Sequence, residues 1–179
     1  VTPQTYNLAL NADASVVLNG NSGEFLNDAN VANNQIATIG DVANYAPVET
    51  SFTVNGGSLG DMPTFDGAPL FSGSYVKTGK LVHFQIQVDM DNITNFGTGQ
   101  YYVNLPFTSK NNYLLSDGCL HDTSTGNEYA ILGHVLANSN QLTLLTTVSN
   151  GKQEPFESGV PITLNVADSF HVAGMYEVA

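Results

Sequence analysis

Between Val82 and Asp91 apolar and polar side chains alternate without a break. Val82, Phe84, Ile86, Val88 and Met90 fall on one side; His83, Gln85, Gln87, Asp89 and Asp91 fall on the other. A period of two is the pattern of a strand with one face buried and one face wet. A polar, glycine-rich turn follows, and then a second strand that ends in Leu105-Pro106-Phe107. The alternation returns at Val160, Ile162, Leu164 and Val166, and again at Phe170, Val172, Gly174, Tyr176 and Val178. With Asn, Gly, Ser and Pro turn signals between the runs, strands are predicted over 71–77, 80–90, 99–107, 113–120, 128–137, 140–148, 159–166 and 169–178. Many short strands and no long helix predict an all-β chain folded as an antiparallel jelly-roll β-sandwich over residues 65–179. Val82, Phe84, Ile86, Val88, Val103, Leu105, Ile162, Leu164, Val172 and Tyr176 are its predicted interior.

The first 46 residues follow another pattern. They are rich in Asn and Ala, with short apolar pieces separated by Asn19-Gly20 and Ser22-Gly23 turn signals. Residues 36–45 read as one short helix stopped by Pro47. So few large apolar side chains cannot build a core of their own. Residues 1–46 are therefore read as an extended N-terminal arm that packs on a partner or on a neighbouring copy. Leu8, Leu10, Val16, Leu18, Phe25, Ile36 and Ile39 are the expected attachment residues. Residues 47–64 read as a linker with one short strand, Ser51–Val54.

Composition narrows the function. Hydrophobic residues make up 42% of the 179 residues, enough for one good core. Charged residues make up only 11%, and the net charge is −12, with Lys77, Lys80, Lys110 and Lys152 as the entire basic complement. Nucleic acid is an unsuitable partner, because phosphate binding needs clustered Lys and Arg. An anionic membrane surface is disfavoured for the same reason, and no apolar run is long enough to predict membrane insertion. The opening residues carry no basic-then-apolar leader pattern. The wet strand faces present Gln, Thr, Asn, His and Ser where Lys and Glu are usual. Strands guarded by so little charge invite association, so an oligomer is expected, with a homotrimer accounting for both the arm and the neutral faces. A host-surface glycan is the other partner these faces suggest.

Candidate chemistry is sparse. Asp89 and Asp91 share a strand end and suggest Ca²⁺, but the loop lacks the Gly and Glu of an EF-hand, so a solvated turn is expected. His83, His121, His134 and His171 show no metal-ligand spacing. His83 and His171 are instead candidate contact residues at a subunit interface. Cys119 is the single cysteine; with His121 two residues on and no oxyanion-hole motif, it reads as a small buried residue. Asp117/Asp122 and Glu154/Glu157 are drawable as glycosidase pairs, with nothing to favour either. Tyr101 and Tyr102 are adjacent, so one ring must face outward, and that ring is a candidate contact residue. No cofactor, metal or catalytic residue is assigned.

The pattern Gly73-x-Tyr75-x-Lys77-x-Gly79-x-Leu81-Val82-x-Phe84, followed by Val103-Asn104-Leu105-Pro106-Phe107, resembles the C-terminal jelly-roll domains of tailed-bacteriophage fibre and other virion surface proteins. The ending Ala173-Gly174-Met175-Tyr176-Glu177-Val178 resembles their final strand, and Gly23–Asp28 and Asn34–Thr38 resemble phage-fibre text. Lys80 stands where many relatives have Asn. The resemblance implies a tumour-necrosis-factor-like or complement-like jelly roll, usually a homotrimer, on the virion surface and made in the host cytoplasm. It implies a non-enzymatic structural role, either a receptor-binding fibre or a capsid or neck decoration, with the arm bound to other virion proteins. A carbohydrate-binding module or polysaccharide depolymerase is the alternative, since jelly rolls host all of these.

Overall fold

The computed structural model describes residues 47–115 and 117–179. The arm, its attachment residues and the short helix expected at 36–45 lie outside the described residues. Among the described residues thirteen strands follow one another: β1 (Thr50–Ser51), β2 (Gly56–Ser58), β3 (Thr64–Phe65), β4 (Leu70–Thr78), β5 (Leu81–Asp89), β6 (Ile93–Asn95), β7 (Tyr101–Asn104), β8 (Tyr113–Leu115), β9 (Asp117–Asp122), β10 (Asn127–Val135), β11 (Gln141–Thr147), β12 (Gln153–Pro155) and β13 (Ser169–Glu177). Every pairing is antiparallel. The chain is all-β, and its strands form a large curled sheet that makes a jelly-roll β-sandwich.

The strand order across the curled sheet is β1-β4-β5-β13-β9-β10-β11-β7-β2. Its two layers meet along β10. The first half of β10 pairs with β9 at Asn127–Ala130; the second half pairs with β11 and β8 at Ile131–Val135. The pairing along β10 shifts by one residue between Leu115 and Cys119, so the predicted strand 113–120 is two pieces, β8 and β9. Such a slip bends a strand and lets it turn from one layer to the other. The small pair β3–β6 stands apart from the curled sheet.

The core lies between the layers. Of the predicted interior, Val82, Phe84, Ile86, Val88, Val103, Leu105, Leu164, Val172 and Tyr176 are buried, and Ile162 is half-buried. Edge-on aromatic contacts tie them together, Phe84 to Tyr176 at 5.8 Å and Phe156 to Phe170 at 5.4 Å between ring centroids. Gly174 of β13 admits the opposite layer: a Cβ there would lie 2.9 Å from a methyl of Leu115.

Two expectations are corrected. Residues 47–64 are not a linker. β1 forms one edge of the sheet and β2 the other, so this segment joins the two edges, with Val54 buried between them. The Phe52 amide donates to the Gly73 carbonyl at one edge, and the Asn104 amide donates to the Asn55 carbonyl at the other. Residues 159–166 form no strand. Pro161 has no N–H to give a ladder, and the backbone turns on itself instead. Glu157 and Val160 exchange hydrogen bonds, and the Leu164 amide donates to Ser158. The buried Asp168 carboxylate then accepts from the amides of Asn165 and Thr123 and fixes the turn before β13.

Candidate assembly face and polar groove

Cross-strand register decides which side chains share a surface. On the layer built from β8, β10, β11, β7 and β2, Leu114 faces His134, His134 faces Thr143, Thr143 faces Tyr102, and Tyr102 faces Gly57. The side chain of Met62 lies over Gly57, where a Cβ would meet its Cε at 2.3 Å. In the adjacent row Leu132 faces Leu145, which faces Pro155. None of these side chains is charged. Leu114 is 55% exposed and Met62 52%, while Leu132, Leu145 and Tyr102 are half-buried.

Four doublets produce this face: Tyr101-Tyr102, Leu114-Leu115, Ile131-Leu132 and Leu144-Leu145. Neighbours on a strand point to opposite sides. Tyr101, Leu115, Ile131 and Leu144 are buried, so the other member of each doublet is outside. The register then gathers those outer members on one layer. The doublets were readable in the sequence; their convergence needed the register.

The outer face of the other layer is polar. On β4, β5 and β13, Ser74 faces Gln85, which faces Ala173, and Ser72 faces Gln87, which faces His171. These rows line an open groove of about 490 Å³. A smaller hollow of about 250 Å³ shares Ser74, Gln85 and Ala173 with it and is walled by Glu49 and His83. At that junction the Ser74 hydroxyl donates to Glu49 Oε1 at 2.6 Å, and Gln85 Nε2 donates to Glu49 Oε1 at 3.1 Å and to Ser74 Oγ at 2.9 Å.

The four predicted contact residues do not converge. His83 and His171 are exposed on the polar layer, and Tyr102 lies on the leucine-bearing layer. Tyr101 is no surface contact: it is 8% exposed, its hydroxyl donates to the Phe96 carbonyl at 2.6 Å, and burial pushes its phenol up to about 12. It borders an apolar cavity of about 40 Å³ with Phe71, Phe96 and Phe170. That space holds a few waters at most, too little for an organic ligand.

Of the drawable catalytic pairs, Asp117/Asp122 is not assembled. Asp117 and Asp122 lie at opposite ends of β9, with Asp117 exposed and Asp122 buried. Asp122 is held below the usual carboxylate range by hydrogen bonds from Thr125 and Ser124. Glu154 lies across from Thr146, and Glu157 sits in the turn with Val160. Burial, reinforced by Glu128, pushes the Cys119 thiol up, away from the thiolate a nucleophile needs. Asp89 Oδ1 accepts the Asp91 amide at 2.9 Å, a local turn. Among the described residues no group of three or more His, Cys, Asp or Glu side chains is placed to hold a metal ion.

No known protein family, curated protein or solved structure matches this chain.

Proposed function

We propose that this chain is a non-enzymatic structural protein of a bacteriophage virion. Its jelly roll is displayed on the particle as a homotrimer, and residues 1–46 attach it to other virion proteins. The observation that carries the reading is the pair of uncharged, leucine-bearing rows on this layer. Leu114, Leu132, Leu145, Tyr102 and Met62 share an outer face with His134 and Thr143, and neither row holds an Asp, Glu, Lys or Arg. Charge depletion with aromatic and Met enrichment marks the centre of protein interfaces. A second copy suits it best. The chain carries −12, so two copies repel across most surfaces, and an uncharged patch is where that repulsion costs least.

The phage assignment rests on the resemblance of the phrases in Gly73–Phe84 and Val103–Phe107, which fall on β4, β5 and β7 and the bend after it. Labelling with an antibody against the jelly roll, read by electron microscopy of purified particles, tests the reading. Regular labelling of tail, neck or capsid is the expected outcome. Protein found only outside particles contradicts it.

A further inference from the structure

We infer that the polar groove on β4, β5 and β13 binds a neutral oligosaccharide. The inference deepens the display reading, because a displayed groove meets the host surface, but its binding test is independent of assembly.

The groove is about 490 Å³, within the range of small-molecule sites. Its chemistry excludes other ligands in turn. No lysine lines it, so phosphate, sulfate and nucleic acid find no counter-charge. Its floor is the middle of paired strands, whose backbone groups are taken up in the β4–β5 and β5–β13 ladders. An extended peptide seeking strand addition therefore finds no free edge there. An apolar ligand would strip water from Ser72, Gln85 and Gln87 without replacing their hydrogen bonds.

A polyol replaces them. Hydroxyls of Ser and amides of Gln both donate and accept, as sugar hydroxyls do. Gln87 faces His171 directly across the ladder, which offers two such groups to one sugar unit. At the near end, Glu49 is already fixed through Oε1 by Ser74 and Gln85. A carboxylate positioned in this way is a strong acceptor for hydroxyl donors. The same carboxylate, in a chain of net charge −12, repels acidic sugars.

Glu49 does not make the groove hydrolytic. A glycosidic bond is cleaved between two facing carboxylates, and among the residues that line the groove and the hollow beside it Glu49 is the one Asp or Glu.

The test is titration of the full chain with neutral gluco-, galacto- and manno-oligosaccharides and with sialylated and polyuronate oligosaccharides, read by calorimetry and saturation-transfer NMR. At least one neutral oligosaccharide should bind. Glu49→Gln and Gln87→Ala should each weaken it about tenfold or more while leaving the melting temperature in place. Leu132→Asp, on the opposite layer, should leave affinity per chain unchanged whatever it does to oligomerisation. Preference for an acidic oligosaccharide, affinity unmoved by both groove variants, or no binding at millimolar concentration overturns the inference. New reducing ends in the mixture would also overturn it, because they would make the site an enzyme.

Discussion

Tyr176 shows how a single buried polar atom is made tolerable. Its side chain is 1% exposed in the centre of the core, yet its hydroxyl accepts from the Phe107 amide at 3.1 Å and donates to the Phe107 carbonyl at 3.0 Å. Tyr176→Phe keeps the ring and strands both Phe107 groups. The expected loss is about 1–3 kcal/mol in a denaturant titration. Its neighbour Phe84 has no such handle, so Phe84→Ala tests packing alone and should cost about 3–5 kcal/mol; a loss well below that range would mean the β5 face is not the core. The phenols also set an alkaline limit. Burial pushes Tyr101 and Tyr176 up to about 12 from 10.0. The folded chain therefore keeps protons that the unfolded chain releases. Their contribution is complete below pH 10 and is lost as pH rises from 10 to about 12. The denaturant midpoint should fall through that window, with tyrosinate absorbance rising as the chain unfolds. A midpoint that stays level there would contradict the burial of both hydroxyls.

At the level of elements, β10 carries the sharpest contrast, because adjacent residues do opposite work. Ile131 is fully buried, and Leu132 faces Leu145 on the outer surface. Ile131→Asp places an unpaired carboxylate in the core and should unfold the chain. Leu132→Asp should change stability by about 1 kcal/mol or less while dispersing the oligomer, as read by light scattering beside circular dichroism. An oligomer that survives Leu132→Asp would move the interface to another surface. Much of this architecture was legible beforehand. Strict alternation found β5 and β13 almost to the residue, because a half-buried strand leaves its period in the sequence. Gly56-Gly57 in β2 and Gln153-Glu154-Pro155 in β12 have no period to read, and only their partners β7 and β11 make them strands. Residues 159–166 were misleading for the converse reason. They alternate, but Pro161 and the turn anchored by Asp168 take the backbone out of any ladder. The outward tyrosine was legible as a choice between two rings. Which ring it is, and that leucines join it, depended on long-range register that no local pattern encodes.

For the whole molecule the question is what the jelly roll owes to the first 46 residues. The buried apolar side chains of the described residues run from Val54 to Tyr176, and the chain between β1 and β2 joins the two edges of the described sheet. Residues 1–46 carry Leu8, Leu10, Val16, Leu18, Phe25, Ile36 and Ile39, each worth roughly 1.5–3 kcal/mol if fully removed from water. On the proposed reading these side chains are covered by other virion proteins. Deleting residues 1–46 should therefore leave a soluble jelly roll that melts cooperatively close to the temperature of the full chain but no longer enters particles. The full chain should scatter light as three copies, and the deletion should keep that number if the leucine-bearing layer is the subunit interface. A truncated protein that remains folded but becomes monomeric would transfer the trimer contact to residues 1–46. One that fails to fold would show that the sandwich depends on them.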